Sequence, residues 1–208
     1  MHYAGLGRRW SDARELVFRA RLEEARSSGA VLVLLRHGES DWNASDRFTG
    51  WEDVGITEEG RRQATRAGHR LARSDITAFD DLHSSALKRT VDTLRLTVKA
   101  LNDRDLPSEV KAHEAGGLEP MTHCRSWQLN ERHYGALTGM KKCDARNTFG
   151  KDQVQEWRRG WHASPPPMGT DHASHKAIQQ AYVSAGGVPA HLPPSESLAD
   201  TELSLIHI

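Results

Sequence analysis

Arginine and histidine side chains stand side by side at the end of an apolar run near the start of the sequence. The five aliphatic residues 31–35 predict a buried strand, and Arg36, His37 and Gly38 follow at once. Ligands of parallel α/β sheets bind beyond the carboxyl ends of the strands, where these side chains would emerge. A guanidinium group suits a phosphate, and a neutral imidazole can accept a phosphoryl group. The motif predicts phosphoryl chemistry, although an isolated R-H-G also occurs by chance after ordinary strands.

A second arginine is expected at the same edge of the sheet. An amphipathic helix is predicted by apolar residues at alternating steps of four and three: Leu87, Val91, Leu94, Val98 and Leu101. Arg89 lies in the first turns of this helix, and free N–H groups at a helix amino end attract anions. Arg36 and Arg89 could therefore close around one phosphate. The alternative is that Arg89 is an ordinary solvated residue of a first turn.

The elements that would position these residues indicate an α/β fold with a mostly parallel central sheet and helices on both faces. Thr57 can cap a helix whose apolar face is formed by Ala64, Ala67 and Leu71. Residues 76–83 predict a second strand, which two serines should end. Strands that alternate with helices are typical of parallel sheets.

The later part of the chain gives weaker signals. Residues 102–125 show no periodicity and predict a long loop, and residues 107–127 suggest an insertion. A helical pattern returns around Val154 and Trp157, and the proline run at 165–167 must end it. Residues 202–208 predict no complete element.

Composition restricts the class of protein. The 208 residues suffice for one sizeable core, and 28 basic residues balance 28 acidic ones, so we expect no nucleic-acid partner. No apolar run approaches the length of a membrane-spanning helix, which predicts no membrane partner. The two cysteines are too few for a disulfide framework, which favours a reducing compartment such as the cytoplasm. His123, Cys124, His133 and Cys143 lack the paired spacing of zinc ligands, so we predict no metal.

Residues 1–30 precede the first predicted strand and are treated as an N-terminal extension. Apolar residues at helical spacing, among them Trp10, Leu16 and Val17, favour a peripheral helix. The arginine-rich composition leaves organelle targeting open as the alternative.

Several blocks of sequence together carry a resemblance to a known family. They are RHGESDWN, RFTGW, SALKR, LNERHYGALTG, EWRRGW followed by PPP, and SESLADT. In this order they resemble the cofactor-dependent (2,3-bisphosphoglycerate-dependent) phosphoglycerate mutases of the histidine phosphatase superfamily. The resemblance runs from about residue 31 to residue 201, which we take as one catalytic domain.

The resemblance implies roles for particular residues. His37 would be the phosphorylated nucleophile, Glu131 the proton donor and acceptor, and Arg36 with Arg89 would hold the transferring phosphoryl group. Substrate-binding positions would be Gly38, Ser40, Asn43, Thr49, Gly50, Arg132, Tyr134, Lys142, Arg158 and Arg159. Several arginines and one lysine suit a small polyanion, because charge-assisted hydrogen bonds compensate its charge.

The activity implied is the interconversion of 3-phosphoglycerate and 2-phosphoglycerate in glycolysis and gluconeogenesis through a phosphohistidine intermediate. The resemblance also implies 2,3-bisphosphoglycerate as the primer that phosphorylates His37, no metal, and a homo-oligomer. Bisphosphoglycerate mutase or phosphatase activity in the same pocket stays open as an alternative. So does a non-catalytic fragment that binds phosphorylated anions.

One departure from the family pattern affects the expected activity. The family carries a later strand with A-H-G-x-S, and none of the later histidines here precedes a glycine: His162, His172, His175, His191 and His207. We therefore expect a domain truncated at its C-terminal end, with residues 202–208 as a tail unlike the family. Losing one preorganised donor to the phosphoryl group costs on the order of a hundredfold in rate. We therefore expect the 208-residue chain to be poorly stable, and to be weakly active or inactive as an enzyme.

Overall fold

The computed structural model of the chain describes residues 31–73, 79–102, 122–187 and 191–206. In chain order its elements are α1 (Asp41–Ala44), α2 (Glu58–Ala72), β1 (Asp81–Ser85), α3 (Lys88–Asn102), β2 (Thr122–Ser126), two 3₁₀ turns (Trp127–Leu129 and Gly135–Leu137), α4 (Lys142–Phe149), α5 (Lys151–Arg159), α6 (His175–Ser184) and α7 (Leu198–Ile206). None of the helices in this described part has the length and apolar character that crossing a membrane requires. The predicted N-terminal helix in residues 1–30 and residues 107–121 of the suggested insertion at 107–127 lie outside the described residues.

The two long helices confirm the periodicity of the sequence. The hydroxyl oxygen of Thr57 accepts a hydrogen bond from the Gly60 N–H (3.0 Å) and caps α2, as predicted. Most of the predicted apolar faces are buried: Ala64, Ala67 and Leu71 in α2, and Val91, Val98 and Leu101 in α3. Leu94 is only partly buried. A Cβ on Gly68 of α2 would collide with the Thr97 carbonyl of α3. The two helices therefore pack backbone to backbone at this position.

The sheet is parallel, which confirms the α/β class, but its strands differ from those predicted. β1 pairs with β2 from Asp81 opposite Thr122 to Ser85 opposite Ser126. The prediction that the two serines end the second strand is wrong, because Ser84 and Ser85 lie within β1. The prediction of a loop through residue 125 is wrong for residues 122–125. Their sequence, T-H-C-R, has no apolar run, and pairing with β1 gives them their conformation.

The apolar run at 31–35 is not the buried strand that the sequence predicts. It belongs to no strand, and Val31, Leu32 and Leu34 are 45%, 75% and 69% exposed. Side chains of this run line an apolar cavity of about 430 Å³, which Leu82 of β1 and Val98 of α3 also line. A strand requires a hydrogen-bonding neighbour, and the run does not pair with either described strand.

Two buried clusters anchor the second half of the described chain. Phe48, Leu137, Ala145 and Val154 form the first, which joins α4 and α5 to the loop after α1. Trp51, Met168, Ile178 and Tyr182 form the second, which holds α6. The predicted helix around Val154 is confirmed as α5, and it ends before the prolines.

A helix also occurs where no complete element was predicted at 202–208. α7 extends to Ile206, and a reciprocal cap precedes it. The Ser197 hydroxyl oxygen accepts a hydrogen bond from the Asp200 N–H (3.2 Å), while Asp200 Oδ2 accepts one from the Ser197 N–H (2.8 Å). The S-x-x-D pattern of a capping box was present in the sequence as the signal for this helix.

Candidate active site

The imidazole of His37 is held in the neutral form and in one tautomer. Its Nδ1 lies 2.7 Å from the Gly38 carbonyl oxygen. A carbonyl only accepts hydrogen bonds, so Nδ1 carries the proton and the lone pair of Nε2 stays available. Burial, followed by the positive charges of Arg89 and Arg36, lowers the pKa of His37 to about 4, against the opposing effect of the Gly38 hydrogen bond. At neutral pH this imidazole is uncharged.

The loop that carries His37 packs closely against its surroundings. Gly38 lies against Gly60 of α2, where a Cβ would collide with the Gly60 carbonyl. Ser40 and Asn43 cap α1 reciprocally: the Ser40 N–H donates to Asn43 Oδ1 (3.1 Å), and the Asn43 N–H donates to Ser40 Oγ (3.2 Å). Two predicted substrate-binding residues, Ser40 and Asn43, thus fix the turn that follows the His37 loop.

Arg89 is completely buried, so the alternative of a solvated first-turn residue is wrong. Its Nη2 donates to the Gly50 carbonyl (2.6 Å) and to Glu131 Oε2 (3.0 Å), and its Nη1 donates to the Glu52 carbonyl (2.9 Å). Burial lowers the pKa of Arg89, and the carboxylate of Glu131 opposes this shift. The structure therefore joins Arg89 and Glu131 in one ion pair, while Arg36 is exposed.

The segment after Glu131 packs against the loop at 49–50. Gly50 has φ of +54°, and a Cβ there would lie 3.1 Å from the Arg132 carbonyl oxygen and the Tyr134 nitrogen. The Arg132 guanidinium lies 5.0 Å from the centre of the Tyr134 ring, and its Nη2 donates to the Arg158 carbonyl (3.1 Å). Within the described part of the chain, Arg132 Nε and Nη1 and the Thr49 hydroxyl are buried without a hydrogen-bond partner. Buried donors of this kind suit an anionic ligand.

Glu196 is a buried group near this segment that the sequence analysis did not select. Its Oε2 accepts a hydrogen bond from the His133 N–H (2.8 Å), and its own N–H donates to the His133 carbonyl (3.0 Å). Burial raises the pKa of Glu196 to about 7. His133 packs within its own sequence block, as expected, because its Nδ1 accepts from the Gly135 N–H (2.9 Å). The SESLADT block contained Glu196, but local sequence could not show its partner.

Three predicted substrate-binding residues occupy more exposed positions. Lys142 Nζ contacts Asp46 Oδ1 at 2.7 Å, and this ion pair is partly exposed. Arg158 is partly buried at the end of α5, and the neighbouring Arg159 is exposed. The described hydrogen bonds and ion pairs do not connect Lys142 or Arg159 to the group formed by His37, Arg89 and Glu131.

Potential metal ligands do not cluster in the described part of the chain. Among residues 31–73, 79–102, 122–187 and 191–206, no three His, Cys, Asp or Glu side chains are grouped so that they could hold a metal ion. Cys124 and Cys143 are both free and exposed.

Comparison with known proteins identifies relatives of this chain. The chain is 43% identical over 170 residues to a 2,3-bisphosphoglycerate-dependent phosphoglycerate mutase of Xylella fastidiosa strain M12, covering 82% of this chain and 61% of the relative. The protein of that name from Maricaulis maris strain MCS10 is 42% identical, covering 82% and 63%. The chain thus spans less than two thirds of the length of these curated relatives. A solved mycobacterial glucosyl-3-phosphoglycerate phosphatase superposes with a TM-score of 0.48 at 22% identity, covering 62% of this chain and 54% of that one.

The family model that matches the chain covers both the loop that carries His37 and the segment that carries Glu131. It describes the histidine phosphatase superfamily (branch 1) and aligns with residues 32–185, well over half of the sequence. His37, Arg89 and Glu131 all lie within the matched range. The chain therefore belongs to the histidine phosphatase superfamily, branch 1.

Proposed function

We propose that this chain carries the phosphohistidine centre of a 2,3-bisphosphoglycerate-dependent phosphoglycerate mutase, which interconverts 3-phosphoglycerate and 2-phosphoglycerate. The proposal is supported by the geometry around His37 and by the 43% identity to mutases of that name. The primer, 2,3-bisphosphoglycerate, would supply the phosphoryl group that first loads His37.

The observation that carries the proposal is the neutral His37 with its proton on Nδ1. A phosphoryl acceptor needs a free lone pair, and the Gly38 carbonyl leaves that lone pair on Nε2. The pKa of about 4 keeps this lone pair unprotonated across the physiological range. As the N–P bond forms, the P–O bond to the donor breaks and the donor oxygen takes up a proton.

Arg89 and Glu131 provide the charges that this transfer requires. The buried guanidinium of Arg89 stabilises negative charge on the phosphoryl oxygens, and the exposed Arg36 can approach from the solvent side. The Glu131 side chain is 35% exposed, so it can exchange protons with a bound hydroxyl group. We assign Glu131 the return of a proton to the donor oxygen and its removal from the acceptor hydroxyl.

The buried donors of Arg132 and Thr49 fit the remaining anionic groups of a phosphoglycerate. Arg132 keeps two guanidinium nitrogens unpartnered, and Thr49 keeps its hydroxyl unpartnered, among the residues that the structure describes. A carboxylate or second phosphate offers oxygens that would satisfy these donors. Tyr134, beneath the Arg132 guanidinium, would keep that side chain in place.

Phosphorylation of the purified chain tests the proposal directly. We expect incubation with 2,3-bisphosphoglycerate to add one phosphoryl group, stable in base and labile in acid, that peptide mapping places on His37. His37→Ala should abolish the modification. His69→Ala, at an exposed histidine of α2, is the matched control and should retain it.

The fate of the phosphoryl group separates the activities that this pocket can support. Addition of 3-phosphoglycerate to the phosphorylated chain should remove the label and yield 2-phosphoglycerate. Release of inorganic phosphate alone would support a phosphatase instead. A chain that binds 3-phosphoglycerate but is never phosphorylated would contradict the proposal and support an anion-binding role.

A further inference from the structure

Thr93 connects the loop that carries His37 and Gly38 to α3, the helix that carries Arg89. It lies one turn beyond Arg89 on α3 and is 2% exposed. Its hydroxyl donates to the Arg89 carbonyl (2.7 Å) and accepts from the Gly38 N–H (2.9 Å). A hydroxyl has a single proton, so donation to Arg89 leaves its lone pairs for Gly38. This one hydroxyl therefore joins the backbone of the loop at Gly38 to the backbone of α3 at Arg89.

Gly38 in turn determines which ring nitrogen of His37 carries the proton. The Gly38 carbonyl accepts the Nδ1 proton of His37, while the Gly38 N–H is held by Thr93. The following amide, that of Glu39, donates to the side chain of Gln63 on α2 (2.9 Å). Buried side chains from two helices thus hold two consecutive N–H groups of this loop. The hydrogen bonds that hold the backbone next to His37 are thus accepted by Thr93 and Gln63, which are distant from it in sequence.

We propose that Thr93 is a positioning residue, whose hydroxyl fixes the Gly38 backbone so that His37 keeps its proton on Nδ1 and its lone pair on Nε2. The inference rests on the proposed function, because it assigns a role in the phosphorylation of His37. Thr93 does not touch the reacting atoms. It acts through Gly38, since a shift of this backbone moves the acceptor for the His37 Nδ1 proton. A displacement of about 1 Å in a reacting group can cost on the order of a hundredfold in rate.

Three substitutions isolate the hydroxyl of Thr93. Thr93→Val removes it while keeping the size and branching of the side chain, and Thr93→Ser keeps it. Thr97→Val is the matched control. Thr97 lies one turn further along α3, is also 2% exposed, and its hydroxyl donates to the Ala64 carbonyl (3.1 Å), away from His37. Both valine variants lose one buried hydroxyl that donates to a backbone carbonyl, and only Thr93→Val also removes the acceptor of the Gly38 N–H.

The first measurement needs no substrate. Nitrogen-15 NMR of the imidazole groups reports the tautomer of His37, and amide hydrogen exchange reports the Gly38 N–H. We expect Thr93→Val to lower the population of the Nδ1–H tautomer and to speed exchange at Gly38, and Thr93→Ser to restore both. Thr97→Val should leave both unchanged. Unaltered His37 and Gly38 signals in Thr93→Val, or equal changes in Thr97→Val, would overturn the proposal.

The second measurement is the rate of His37 phosphorylation by 2,3-bisphosphoglycerate. Thr93→Val should slow it roughly tenfold to a hundredfold, Thr93→Ser should restore it, and Thr97→Val should match the unsubstituted chain. Slowing by Thr97→Val to the same extent would indicate a general loss of packing and overturn the positioning role. If the unsubstituted chain is not phosphorylated, the proposed function is wrong, and the NMR comparison alone decides whether Thr93 positions His37.

Discussion

Replacing Glu196 by glutamine should remove a pH-dependent loss of stability. Glu196 is 6% exposed, and its carboxyl group accepts the His133 N–H. Burial, with a smaller contribution from the negative charge of Asp200, raises its pKa from 4.5 to about 7. The folded chain therefore prefers the protonated carboxyl, whereas the unfolded chain releases that proton at much lower pH. Near neutral pH the Glu196 carboxyl therefore takes up a proton as the chain folds.

The direction and size of the effect follow from this difference in pKa. Between the unfolded pKa of 4.5 and the folded pKa of about 7, the folded state binds more protons, so the free energy of unfolding falls as pH rises. The contribution is fully present below pH 4.5 and is lost as pH rises through about 7. A pKa difference of this size corresponds to about 3 kcal/mol, since each unit is worth about 1.4 kcal/mol.

Two histidines change stability in the opposite direction over part of this range. Burial lowers the pKa values of His37 and His133 from 6.5 to about 4, so each makes the chain more stable as pH rises from 4 to 6.5. The total pH profile therefore mixes opposing effects. The difference between the unsubstituted chain and Glu196→Gln isolates the glutamate, because both proteins keep the two histidines.

Urea unfolding at a series of pH values measures this difference. Relative to Glu196→Gln, the unsubstituted chain should lose about 2 to 3 kcal/mol between about pH 5 and pH 8. Glu202→Gln, at an exposed glutamate of α7, is the control and should leave the profile unchanged. A constant difference between the unsubstituted chain and Glu196→Gln across this range would refute the argument.

Two further substitutions test the packing around the candidate site. Gly38→Ala would push a methyl group into the Gly60 carbonyl, so it should lower the free energy of unfolding in urea by about 1 to 3 kcal/mol and slow the phosphorylation of His37. The control, Gly55→Ala, places its methyl group at an ordinary contact distance and should leave the stability nearly unchanged. Leu137→Ala empties a fully buried position and should cost about 2 to 5 kcal/mol in the same assay, against about 0.5 or less for the exposed Leu203→Ala; equal costs would contradict the assigned core.

The helices were predictable because their signals are local. The cap at Thr57 and the apolar faces of α2 and α3 depend on residues within a few turns of one another, and the structure reproduces them. The capping box at Ser197 is equally local, and the helix that it begins continues into residues 202–206, for which no complete element was predicted. The R-H-G motif is likewise local, and it made His37 a candidate phosphoryl acceptor from the sequence alone.

Only the tertiary structure decided the strands and the partners of the buried charged groups. β2 exists because residues 122–126 pair with β1, whereas the far more apolar run at 31–35 belongs to no strand. The burial of Arg89 against Glu131, and of Glu196 against His133, joins residues 42 and 63 positions apart. Local sequence reports the preference of a segment for helix or extended chain. It contains no record of which distant group will satisfy a hydrogen bond, and that choice depends on packing of the whole chain.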